Sequence, residues 1–182
     1  MDSFSFNTFN KYAPLGIGEA IKNFNKSGKR LVFVCIGSDL VLGDSLGPLS
    51  GTFIKNKEIG SFVYGTLNFP ITAKEIPYVQ SHLKRFHPDC LCVAIDAAVG
   101  DSEDVGLIKV VNSSLKPGLG VQKKLGAVGD ISIIGVVAGK SAQNYDLFNL
   151  TRLNLIYKMS EVIADGIKNF FDSNPASSAQ NN

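Results

Sequence analysis

The apolar run from Leu31 to Ile36 constrains this chain more than any other feature. Leu31, Val32, Phe33, Val34, Cys35 and Ile36 are rich in β-branched and aromatic side chains and show no alternation, as a strand buried on both faces requires. The run stops at Gly37. After a polar turn, Leu46, Leu49, Phe53 and Ile54 return at helical spacing, and Pro48 suits a first helical turn, where its missing N–H is no loss. The stretch therefore reads as strand, loop, helix. In open α/β sheets, ligands bind at this junction, outside the carboxyl end of the strand. Two carboxylates stand in it, Asp39 and Asp44, and Asp44, at the start of the helix, is the stronger candidate for chemistry.

The same reading extends along the chain. Apolar runs predict further strands at Phe62–Leu67, Cys90–Ile95, Gly106–Val111 and Ile131–Ala138, the third strand ending in Asp96. Helical stripes cover Leu15–Lys26, about Thr72–Phe86 and about Asn144–Phe171; Pro77 either strains the second of these or marks its true first turn. The connection between the third and fourth strands is too short for a parallel crossover. The fourth strand must therefore run antiparallel to the third or leave the sheet. Residues 1–182 read as one domain, with a core over about 15–172, an N-terminal arm over 1–14 and a disordered polar tail over 173–182. The Gly-rich connection Leu115–Asp130 has the length of a functional loop, suited to a flap over the crevice.

Composition narrows the function classes. A net charge of +2 with 19% charged residues is too small to predict nucleic acid or an anionic membrane surface as partner. No apolar run approaches the ~20 residues a bilayer span needs, and the N-terminus lacks a basic region followed by an apolar stretch, so the expected location is cytoplasmic. Cys35, Cys90 and Cys92 lie in apolar runs and read as small core hydrophobes rather than a disulfide framework. Lys22, Lys26, Lys29 and Arg30 read as a solvated face.

If the first and third strands are parallel neighbours, Asp44 and Asp96 share one crevice. Two carboxylates in one site do not both ionise cheaply, so one keeps a proton and acts as acid while the other activates water. Backbone N–H groups of Ser45, Leu46 and Gly47 are candidate donors to a developing oxyanion, with Ser38 and Asp39 beside them as candidate substrate-positioning residues. Simpler readings compete: Asp44 as a helix cap, Asp39 as a turn former, Asp130 as a loop hydrogen-bonding group and Arg152 as a solvated or salt-bridged helix residue. His82 and His87 fall away from the crevice, so no metal ligand set is predicted. No nucleotide-binding loop is present either, and no cofactor is expected.

These residues carry a resemblance. Gly37 to Pro48, GSDLVLGDSLGP, resembles the Gly-Asn…Asp-Ala-Leu-Gly-Pro motif of the spore germination protease and, with Glu for Asp, a motif of hydrogenase maturation proteases. AIDAAVG, residues 94–100, is similar to the second acidic motif of that superfamily. KPGLGVQKKLGAVGDISIIG and TRLNLIYKMSEVIADGI, residues 116–135 and 151–167, resemble sporulation proteins grouped with the germination protease. The resemblance spans roughly residues 30–170 and implies a three-layer α/β/α domain with a mixed five-stranded sheet containing one antiparallel strand. It also implies that Asp44 and Asp96 are the catalytic acids, that the substrate is a protein or peptide, and that the location is the forespore or spore interior. Two positions depart from the pattern: Ser38 replaces the Asn of Gly-Asn, and Thr72 stands where the sporulation proteins have His.

Three expectations follow. The first is a sporulation-associated peptidase with an aspartate pair; the second is a binding or assembly protein using the same groove; the third is a maturation protease that reads a metal. Oligomeric state is left open.

Overall fold

The computed structural model describes residues 2–116, 126–140 and 151–174. In chain order they form β1 (Ser3–Asn7), α1 (Ala13–Phe24), β2 (Leu31–Cys35), α2 (Leu46–Asn56), β3 (Phe62–Tyr64), α3 (Ile76–Phe86), β4 (Leu91–Gly100), β5 (Leu107–Val111), β6 (Ile131–Gly139) and α4 (Leu153–Ser173). Short 3-10 turns at Leu42–Ser45 and Ser102–Asp104 precede α2 and β5. Among the described residues the six strands make one sheet in the order β1-β5-β6-β4-β2-β3. β2 is parallel to both β3 and β4, and β4 is parallel to β6. β5 pairs antiparallel with both β6 and β1.

Each strand sends alternate residues to opposite faces, and the core divides accordingly. Phe33, Cys35, Val93, Ile95, Ile131 and Ile133 face α1, α2 and α4 in the larger cluster. Val32, Val34, Cys92 and Ala94 face α3 in the smaller one. This makes three layers, α/β/α. The long amphipathic α4 lies against both α1 and α2, burying Ile156, Met159, Ile163 and Ile167 completely.

Several expectations are sharpened here. Among the described residues the sheet has six strands rather than five, because the N-terminal arm supplies β1, which pairs with β5 from Ser3↔Val111 to Asn7↔Leu107. Its side chains are mostly exposed, as on an edge strand, so no apolar run announced it. The antiparallel strand does run opposite to β4, but β6 lies between them. Pro77 lies in the first turn of α3, which starts at Ile76. The expected helix start near Asn144 and the centre of the Leu115–Asp130 connection fall in residues 141–150 and 117–125, outside the described residues. The stem of that connection is described. Asp130 Oδ2 accepts from the Cys92 N–H at 2.8 Å, and a Cβ on Gly129 would meet the Ala94 Cβ at 2.9 Å. Going back from Asp130, the chain therefore climbs the α3 face of β4 toward Asp96.

Candidate active site

β2 and β4 are adjacent, yet the chain leaves their carboxyl ends toward opposite edges of the sheet: from β2 toward β3, and from β4 toward β5. That divergence is a topological switch point, where open α/β sheets place their crevice. The pairing shows how it opens. Ile36 N–H donates to the Ile95 carbonyl at 2.8 Å, and the next residue, Gly37, donates instead to the Ile71 carbonyl at 2.8 Å. Asp96 is thus the first residue of β4 beyond its ladder with β2, while on its other side it stays paired with Ile134 of β6. The strand does not end at Asp96 as its apolar run suggested. Ala97, Ala98, Val99 and Gly100 continue along β6 with one bulge.

Asp44 reaches the same crevice from the 3-10 turn, which packs against β4. Two glycines set its place. Gly37 has φ +141°, a region L side chains rarely adopt, and the Ser38 N–H that follows it donates to the Asp44 carbonyl at 3.1 Å. Gly47 brings the first turn of α2 so close to β2 that a Cβ there would fall inside the Ile36 carbonyl oxygen.

The electrostatics fit a carboxyl pair. Burial pushes Asp96 up to about 8, the negative charge of Asp44 adds to the rise, and the Ala97 N–H, donating to Oδ1 at 2.8 Å, opposes it. Burial also raises Asp44, against a hydrogen bond from the Ser38 N–H. Both carboxyls are therefore pushed toward holding a proton, and Asp96 keeps its own up to about pH 8.

Asp39 is exposed at the loop tip next to Leu40, which is 90% exposed. Ser38 is partly buried, and its hydroxyl accepts from the Leu40 N–H at 3.2 Å. Ser45 is buried, with its hydroxyl donating to the Leu42 carbonyl at 2.6 Å. Leu46 is fully buried in the larger core cluster. Because the 3-10 turn runs directly into α2, helical bonding begins before Ser45, with Asp44 N–H donating to the Val41 carbonyl. Thr72 follows Ile71, which is bridged to Ile36, and its hydroxyl donates to Glu75 Oε2 at 2.5 Å. His82 and His87 instead meet Tyr64, whose Oη lies 3.0 and 2.7 Å from their Nε2 atoms. Among the described residues, no three His, Cys, Asp or Glu side chains converge on a metal position. Cys35 and Cys92 are buried with thiols raised by burial, Cys92 to about 12. Gly37, Gly47 and Ile71 shape the crevice without carrying chemistry; Gly-Pro inside a first helical turn was the available signal for Gly47, and nothing local marked Ile71.

Fold and site define a three-layer α/β protein with a carboxyl pair at the switch point of its sheet. The chain belongs to the family described as protein of unknown function DUF1256, whose model matches residues 7–166. It is also similar to "Uncharacterized protein YyaC" of Bacillus subtilis (strain 168), at 40% identity over 142 residues, 78% of this chain and 69% of that protein. Neither description carries an activity to this chain. No helix among the described residues is long and apolar enough to cross a membrane.

Proposed function

We propose that this protein is a peptidase of the germination protease type, in which Asp44 and Asp96 act as base and acid on one peptide bond. The observation that carries the reading is two carboxyls near one another at the end of β2: Asp96 is the first residue of β4 beyond its ladder with β2, and burial together with the nearby charge of Asp44 pushes it up to about 8, so that it can hold a proton to give. Asp44 takes a proton from water as its oxygen adds to the scissile carbonyl carbon. Asp96 then gives its proton to the departing amine as the C–N bond breaks. The resemblance of residues 37–48 and 94–100 to the two acidic motifs supports the same assignment and points to a sporulation setting.

A second reading, a binding or assembly protein that keeps the groove without cutting, is favoured by Thr72. That residue replaces the expected His, and its hydroxyl is engaged by Glu75. One experiment separates the two. Small acid-soluble spore protein is incubated with the purified protein, with Asp44→Asn and with Asp96→Asn, each variant first checked for folding. Cleavage by the parent, reduced at least 100-fold in both folded variants, establishes the peptidase. Stable binding without cleavage by the parent sinks it in favour of the binding protein.

A further inference from the structure

Among the described residues β3 is the last strand of the sheet, and Val63 and Tyr64 line a groove of about 540 Å³ beside it. The two walls of that groove differ in chemistry. On the α3 side stand Tyr64, Tyr78 and His82, with Phe69 closing one end. On the α2 side a second hollow of about 480 Å³, sharing Lys55, Thr66 and Phe69 with the first, is lined by Thr52 and Asn56. The groove beside Val63 and Tyr64 is thus aromatic on the α3 side and faces Lys55 on the α2 side, the polar hollow lies just past the end of β3 at Thr66, and among the described residues the outer edge of β3 is unpaired.

The aromatic wall extends beyond the groove. His87 lies 4.6 Å from the Phe62 ring, His82 lies 4.6 Å from the Phe86 ring, and Tyr64 Oη links the two histidines. Phe62, Phe69, Tyr78 and Phe86 are 51%, 76%, 78% and 57% exposed. Single exposed aromatics are ordinary, but a joined strip of them beside a free edge marks a recognition surface.

We infer that the outer edge of β3 binds an extended polypeptide segment by strand addition, one whose side chains alternate between apolar residues facing α3 and polar residues facing α2. A strand presents its side chains with period two, so a chain laid along β3 sends one set to each wall, and its backbone supplies the hydrogen bonds that the edge lacks. The shape and size of the surface favour a peptide over a second copy of this chain. Two concave grooves cannot fill each other, and four aromatics at these exposures offer roughly 400–650 Å², short of the ~800 Å² per partner that a stable dimer buries. β3 itself is three residues long, enough for a short segment and too short to template sheet stacking.

One end of the groove adjoins the segment that pairs with the end of β2. Ile71 and Glu75 line it, and Ile71 is bridged to Ile36 at the end of β2. A segment held on β3 would have one end near the end of β2, which is compatible with the peptidase reading but does not depend on it, since binding is read with no cleavage required.

The test uses a fluorescein-labelled, end-blocked heptapeptide alternating phenylalanine and threonine, with anisotropy for affinity and amide chemical shifts for location. Expected results are saturable binding, shifts concentrated at Phe62–Thr66, and affinity reduced at least ten-fold by Phe69→Ala with Tyr78→Ala. Both residues are exposed, and an unchanged melting temperature confirms that the double variant folds. N-methylation of one alternate set of peptide amides should abolish binding, and of the other should not. Equal affinity for both N-methylated peptides overturns strand addition, as does absence of binding. Sedimentation showing a parent dimer that the double variant splits assigns the surface to a second copy and also overturns the inference.

Discussion

Asp96 is held by two opposed influences: burial and the charge of Asp44 raise it to about 8, while the Ala97 N–H steadies its ionised form. The folded protein keeps a proton that the unfolded chain releases near pH 4, so between pH 4 and about 8 the folded state binds more protons and stability falls as pH rises. Asn in place of Asp96 has the same shape and an oxygen to accept from Ala97, but no charge. Asp96→Asn should therefore be more stable than the parent at pH 9, by an amount on the order of a few kcal/mol, with little difference at pH 4. Urea denaturation at the two pH values measures this; a variant less stable at pH 9 would count against the buried, proton-holding Asp96. For catalysis, the same pair predicts a bell-shaped rate profile whose alkaline limb falls near 8, as Asp96 loses its proton. A rate that climbs steadily through pH 10 would remove Asp96 as the acid.

The element that decides the site is α2, packed end-on against β2. The Cβ of an alanine at Gly47 would collide with the Ile36 carbonyl, and backbone cannot move aside as a flexible side chain can. Gly47→Ala should cost at least about 2 kcal/mol and pull Asp44 away from Asp96. Denaturation measures the first effect, and cleavage by whatever fraction remains folded measures the second. The Leu31–Ile36 run announced β2, and the spacing of Leu46, Leu49, Phe53 and Ile54 announced α2, because both bury most of their surface and must be apolar to do so. The exposed β1 carried no such signal. Asp96 was legible as a candidate from its apolar neighbours Ala97, Ala98 and Val99. Those same neighbours continue the strand to Gly100, because β6 beside them supplies the pairing that β2 no longer does.

Across the whole molecule the sheet is layered in stability as well as in space. β2, β4 and β6 are covered by helices on at least one face and paired on both edges, whereas among the described residues β1 and β3 each have one unpaired edge. Amides protected longest from hydrogen exchange should be those of β2, β4 and β6, and those of β1 and β3 should exchange through smaller local openings. Exchange mass spectrometry resolves these segments; equal protection in β3 and β4 would contradict the free edge on which strand addition depends.

By itself the sequence determined the α/β class, the strand and helix cores, the antiparallel direction imposed by a short connection, and the two acids worth testing. These are local properties: apolar periodicity, turn chemistry and connection length act between near neighbours along the chain. Tertiary structure alone decided that β2 and β4 lie side by side, that β6 separates β4 from β5, that the N-terminal arm becomes an edge strand, and that His82 and His87 gather on Tyr64 rather than near the acids. Each of these depends on which surfaces meet across long sequence separations. Many strand orders satisfy the same pattern of buried and exposed residues, and the packing of the helices on the two faces selects one of them.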